Sequence, residues 1–143
     1  RHRPILEWCE RRRLPVLCHG WLGGDAYVTP DDLSVLAPMY PGAHFISTHV
    51  GGSWEFAEAL MHVIRRYPNV YADPAYPVTP SGIVQYIMRE AGADRVVFGS
   101  DALLIDPASQ IGWIAWARIP VEDKRAMLGL NLARLLGIRP ERQ

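Results

Sequence analysis

The chain has 143 residues, of which 49% are hydrophobic and 21% are charged, and its formal net charge is zero. That length is sufficient for one domain with a hydrophobic core. The balanced charge gives no electrostatic reason to expect nucleic acid or an anionic membrane as a partner. No apolar stretch approaches the ~18 residues of a membrane span, and no signal peptide is recognisable.

Apolar periodicity and helix-start signals predict one helix followed by four strand–helix units. The predicted strands span residues 15–19, 44–49, 69–73 and 95–101. The first is a continuous apolar run, typical of a strand that is covered on both faces. The predicted helices span residues 4–13, 29–39, 53–67 and 81–91, a segment within 102–118, and a final amphipathic helix at 120–136 that stops before Gly137 and Pro140.

Each predicted strand ends on a side chain that can bind a metal ion or carry a proton. These residues are His19, His49, Asp73 and Asp101, at intervals of 30, 24 and 28 residues. Such intervals match a strand, a loop, a helix and a return loop, since a βαβ unit takes roughly 30 residues. Polar residues at the C-terminal ends of successive parallel strands are typical of the catalytic face of a (β/α) barrel.

The alternation of strands and helices predicts an α/β fold with a parallel sheet. Alternation alone does not separate a barrel from a doubly wound open sheet. The strand-end histidines and aspartates favour the barrel.

Cys9 and Cys18 have a spacing that matches neither a zinc signature nor a disulfide framework. We therefore expect two reduced thiols in the core and a cytoplasmic protein.

Four short segments together resemble one protein family. They lie at 15–19 (PVLCH), 48–52 (THVGG), 97–101 (VFGSD) and 131–137 (NLARLLG). In this order they are similar to the amidohydrolase-2 family, the branch of the metal-dependent amidohydrolase superfamily that includes aminocarboxymuconate-semialdehyde decarboxylase. The resemblance implies the C-terminal half of a (β/α)8 TIM barrel. Residues 1–143 would then form a single partial domain that contains strands five to eight.

The resemblance also implies roles for particular residues. His19 and Asp101 would be ligands of zinc or another divalent metal, and His49 and Asp101 would be the catalytic residues. Asp73 matches no role in the family, so we interpret it as a strand-end or loop-capping residue. Trp21 and Trp54 follow strand ends and could line the pocket of a planar substrate.

One departure from the family pattern concerns the metal ligands. The family carries a His-x-His pair at the end of its first strand, and this chain has no two histidines at that spacing. A (β/α) barrel also takes about 250 residues. We therefore expect the first four strand–helix units to be absent, either because the chain is a half-barrel or because it is part of a longer protein.

Several functions remain open at this point. The first is a metal-dependent hydrolase that uses activated water to cleave a C–N or C–O bond in a small carboxylate or aromatic substrate. The second is a metal-dependent decarboxylase of the same family. Either reaction would need the missing N-terminal half as a partner. The third is a non-catalytic half-barrel that pairs through its open edges as a homodimer. An open-sheet ligand-binding domain without a metal is a fourth possibility.

Overall fold

The computed structural model describes residues 2–139, so Pro140, expected just beyond the last helix, lies outside the described residues. Its centre is a parallel sheet in the order β1-β2-β3, formed by β1 (Pro15–Cys18), β2 (His44–Ser47) and β3 (Val70–Ala72). β2 and β3 each pair with the strand before them, as the βαβ pattern predicts.

Helices connect and follow the strands. They are α1 (Arg3–Arg12), α2 (Pro30–Met39), α3 (Trp54–Arg66), α4 (Ile83–Ala91), α5 (Pro107–Trp116), α6 (Val121–Arg125) and α7 (Asn131–Leu135). Short 3-10 turns lie at Val50–Gly52 and Ala93–Arg95. No helix within residues 2–139 combines the length and the apolar character required to cross a membrane.

One face of the sheet, which we call the outer face, packs against the helices. Phe45 and Val70 on this face are fully buried together with Phe56 and Leu60 of α3. Burying side chains of this size stabilises the fold by about 1.5–3 kcal/mol each relative to leaving them exposed. The two cysteines are free and buried in the same core, which confirms their expected position.

Two of the helix starts predicted from sequence, at residues 29 and 53, are confirmed by capping hydrogen bonds. Thr29 and Asp32 form a reciprocal capping box at the start of α2. At the start of α3, the Ser53 hydroxyl accepts a hydrogen bond from the Phe56 N–H at 3.1 Å. These bonds fix where each helix leaves the preceding loop, and hence the path by which it returns to the sheet.

The opposite face, which we call the inner face, is covered unevenly. Ile46, Tyr71 and Val97 are buried in a small cluster with Leu135 of α7. Leu17 of β1 is 70% exposed. The expectation that the first strand is covered on both faces is therefore wrong for the inner face of β1 within the described residues.

The fourth predicted strand is reduced to a single parallel bridge between Ala72 and Val96. The Val97 N–H donates to the Ala72 carbonyl at 2.9 Å. Two residues further along, the Gly99 backbone lies against the Asp73 carboxylate. The segment thus runs beside β3 without forming a regular ladder.

The predicted final helix is broken into three parts. α6 ends at Arg125, a π-helical turn covers Ala126–Leu130, and α7 follows. The break lies at Gly129, whose backbone is extended with φ of 180°. The leucines of this segment accordingly differ in burial: Leu135 is buried, whereas Leu128 is exposed.

Candidate functional site

A cavity of about 520 Å³ opens at the C-terminal end of the strands. Its polar lining consists of His19, Thr48, His49, Asp73, Ser100 and Asp101. Its apolar lining includes Leu17, Ile46, Ala75, Val97, Phe98 and Leu132. The three residues His19, His49 and Asp101, predicted from strand-end spacing to share a site, therefore face one cavity.

His19 follows β1 and is exposed at the mouth of this cavity. Its ring centroid lies 4.8 Å from that of His49, with the rings tilted by 58°. On its other side, the His19 ring makes an edge contact with Tyr27 at 4.8 Å. Two imidazoles from neighbouring strand ends are thus held close together by the parallel pairing of β1 and β2.

His49 has a fixed ring orientation. Its Nδ1 lies 3.2 Å from the Ala75 carbonyl oxygen, which can only accept a hydrogen bond. We therefore assign the proton to Nδ1, which leaves Nε2 as the ring nitrogen available to the cavity. A backbone carbonyl that fixes the tautomer in this way is typical of histidines that bind a metal or exchange protons.

The backbone of both predicted catalytic residues is left-handed. φ is 64° at His49 and 52° at Asp101. Such conformations cost of the order of 1–3 kcal/mol in residues other than glycine and occur preferentially at functional sites. The strand-to-loop turns at these residues are therefore held by surrounding contacts and not by local preference.

Asp73 is the buried carboxyl of the site. It is 6% exposed, and its Oδ1 accepts a hydrogen bond from the Ala75 N–H at 2.9 Å. Burial raises the pKa of Asp73 to about 6, and the nearby Asp101 charge adds to the rise. The loop-capping role predicted for Asp73 is confirmed. Its place in the cavity lining was not predicted, although its position at a strand end was a signal for it.

The two tryptophans expected near the pocket lie beside it. Trp21 stacks on Tyr76 with ring centroids 5.3 Å apart, and Tyr76 in turn makes an edge contact with His49. Trp54 is 40% exposed and packs against Tyr86. Neither tryptophan is part of the cavity lining, and their contact with a substrate stays a prediction.

The fit of a metal ion to these residues is partial. Imidazole nitrogens and a carboxylate are suitable donors for zinc and similar divalent ions. Within residues 2–139, however, no group of three or more His, Cys, Asp or Glu side chains lies close enough to hold a metal ion. The described residues could thus supply only part of the coordination shell of a metal ion, and a complete shell needs further donor atoms.

Parallel strands with helices between them, and a polar cavity at the strand C-termini, define the class as a partial (β/α) barrel. A family model described as Amidohydrolase (Amidohydro_2) matches residues 1–138. The chain therefore belongs to the amidohydrolase-2 family.

Solved structures agree with this class. An uncharacterised TIM-barrel protein from Bordetella bronchiseptica is 25% identical with a TM-score of 0.74, over 96% of this chain and 50% of that one. Amidohydrolase 2 from Bifidobacterium longum subsp. infantis is 17% identical with a TM-score of 0.70, over 94% of this chain and 54% of that one. A dihydroxybenzoic acid decarboxylase from Polaromonas sp. JS666, solved with manganese and the inhibitor 2-nitroresorcinol, is 18% identical with a TM-score of 0.66, over 94% of this chain and 53% of that one.

The chain spans about half the length of these solved structures. No curated protein sequence matches it.

Proposed function

We propose that the chain supplies the C-terminal half of the active site of a metal-dependent hydrolase, which cleaves a C–N or C–O bond in a small carboxylate or aromatic substrate. The observation that supports this proposal is the common cavity of His19, His49 and Asp101. His19 and Asp101 would hold a divalent ion, zinc or manganese, and donors outside residues 2–139 would complete its shell. When bound, such an ion acts as a Lewis acid and makes water a better nucleophile near neutral pH.

The side chains of this chain would then divide the work of hydrolysis. His49 Nε2 accepts a hydrogen bond from the attacking water and orients it, since Nδ1 is occupied by the Ala75 carbonyl. Asp101 takes a proton from that water as the water oxygen bonds to the substrate carbonyl carbon. The proton then passes to the leaving nitrogen or oxygen as the C–N or C–O bond breaks.

The direct test supplies the missing donors. The chain is co-purified with the N-terminal half of the Bordetella bronchiseptica relative, and its metal content is measured after dialysis against zinc or manganese. We expect about one ion per complex, lost in His19→Ala and in Asp101→Ala. His62→Ala is the matched control, because His62 is an exposed histidine on α3 and should leave the metal content unchanged.

Turnover is measured on the same complex with an amide, a lactone and a hydroxybenzoate. Hydrolysis of the amide or lactone that disappears in His49→Gln would support the proposal. Metal content that is insensitive to both ligand variants, together with no turnover, would contradict it and favour the non-catalytic half-barrel.

A second candidate is decarboxylation of an aromatic acid. The apolar wall of the cavity, which includes Ile46, Val97 and Phe98, favours a planar ring. In this reaction a ring carbon takes a proton from protonated Asp101, after which the bond to the carboxylate breaks and its electrons stay with the ring. Carbon dioxide released from the hydroxybenzoate, with no hydrolysis of the other two substrates, would identify this reaction.

A further inference from the structure

We propose that Asp73 is a positioning residue whose carboxylate and main chain fix the orientation of both His49 and Asp101 at the cavity. The inference rests on the function proposed above, because it assigns Asp73 a role toward the two residues that carry that function. Asp73 reaches the two residues through different neighbours.

The link to His49 has two parts. The Asp73 carboxylate accepts a hydrogen bond from the Ala75 N–H at 2.9 Å, and the Ala75 carbonyl lies 3.2 Å from His49 Nδ1. The Asp73 carbonyl accepts from the Val50 N–H at 3.0 Å. Asp73 therefore holds the His49 ring through Ala75 and the His49 backbone through Val50, at the residue where that backbone is left-handed.

The link to Asp101 runs through Gly99. The Gly99 backbone lies against the Asp73 carboxylate, where its N–H favours the ionised form of that group. The two residues are in such close contact that a Cβ added to Gly99 would lie 2.0 Å from Asp73 Oδ2. Glycine at this position lets the buried carboxylate sit directly on the backbone, two residues before the left-handed turn at Asp101.

A carboxylate suits this double contact better than an amide. Both neighbours, Ala75 and Gly99, present N–H donors, and an ionised aspartate offers only acceptors. An asparagine would turn its NH2 group toward one of the two donors. A residue that only capped its own loop would need the Ala75 contact alone, so the contact with Gly99 distinguishes the positioning role from simple capping.

The test is NMR on the isotopically labelled chain, without metal or substrate. The variants are Asp73→Asn and Asp73→Ala. The matched control is Asp106→Asn, because Asp106 Oδ1 accepts from the Ala108 N–H at 2.9 Å with the same two-residue spacing at the start of α5. The readouts are the His49 ring nitrogen shifts, assigned by their loss in His49→Gln, and the exchange rate of the Gly99 amide proton.

In both Asp73 variants we expect the His49 ring to move from the Nδ1–H tautomer toward a mixture, together with shifted Gly99 and Asp101 amide signals. In Asp73→Ala the Gly99 amide should exchange at least 10-fold faster. The control variant should leave all of these signals unchanged.

Gly99→Ala approaches the same contact from the other side and keeps the test decisive if Asp73→Ala fails to fold. Its added methyl group must displace the Asp73 carboxylate, so the His49 ring signals should move although His49 lies on a different segment. Folded variants of Asp73 or Gly99 that alter the signals of only one partner, or of neither, would overturn the proposal. Because the readout needs no turnover, failure of the proposed reaction would not be confused with failure of this inference.

Discussion

The two faces of the sheet differ in how far the described residues bury them. The outer face meets α2, α3 and α4 in a large core, in which Phe45, Phe56 and Leu60 are fully buried. The inner face has only a small buried cluster around Tyr71 and Val97, and Leu17 at its edge is 70% exposed. The comparison teaches that stability and chemistry are separated: the outer face holds the fold together, while the inner face and its upper rim carry the candidate site.

The largest expected effect comes from the outer face. Phe56→Ala should lower the free energy of unfolding by about 3–5 kcal/mol, because it leaves a cavity at a fully buried aromatic position. Urea unfolding followed by circular dichroism measures the change. A loss below about 1 kcal/mol would show that α3 does not anchor the sheet as the packing indicates.

A second effect concerns pH and the buried carboxyl beneath the site. Burial, with the charge of Asp101, raises the folded-state pKa of Asp73 to about 6, from the ordinary aspartate value of 3.8. Ionising this group in the folded state is therefore unfavourable, so its contribution to stability is greatest below pH 3.8 and is lost as pH rises to 6. The loss amounts to about 3 kcal/mol, since one pKa unit corresponds to about 1.4 kcal/mol.

The measurement is the pH dependence of unfolding in the native chain minus that in Asp73→Asn, which cannot ionise at this position. The difference should change between about pH 4 and 6 and be flat above pH 7. A difference that is flat across this window would mean that the carboxyl is more solvated than its 6% exposure indicates.

A third, smaller effect should appear at the rim of the site with the opposite sign. Asp101→Gly should raise the free energy of unfolding by about 0.5–1 kcal/mol, because glycine adopts φ of 52° without strain and repulsion of Asp73 is removed. Asp101→Asn, which removes the charge but keeps a side chain, separates the two causes in the same thermal unfolding experiment. Destabilisation by the glycine variant would contradict this reasoning.

The smallest effect is expected at the exposed edge of the inner face. Leu17→Ala should change the free energy of unfolding by less than about 0.5 kcal/mol, since the side chain is largely in water already. Set beside Phe56→Ala in the same urea series, it measures the difference between the faces directly. A loss of 2 kcal/mol or more would show that Leu17 is buried in solution by a second chain, the alternative in which two half-barrels pair.

Much of the fold could be predicted from local signals. The apolar runs gave the three strands, and capping residues such as Thr29 and Ser53 gave the helix starts. The fourth strand could not be predicted correctly, because a strand is defined by its partner. Beyond Val97 the Gly99 backbone lies against the Asp73 carboxylate and forms no regular ladder with β3. The pattern of apolar residues does not show where the pairing with β3 ends.

The site was predictable in its members but not in its geometry. Strand-end spacing selected four residues, and the structure brings all of them to one cavity, while their catalytic and metal-binding roles stay predictions: His19, His49, Asp73 and Asp101. The left-handed backbone at His49 and the contact of Asp73 with Gly99 depend on tertiary packing. Leu17 shows the same limit. Its apolar side chain predicts burial, but the sequence does not show which segment would cover it.

The order of the sheet bears on how the chain can fold while it is being synthesised. β2 pairs with β1 and β3 pairs with β2, so both of these strands find a partner in a segment that left the ribosome earlier. Translation adds about 5–20 residues per second, and the 24 to 30 residues between strand ends therefore emerge in seconds. Each new strand can therefore pair with a strand that has already been synthesised, so the sheet can be assembled in the order of translation.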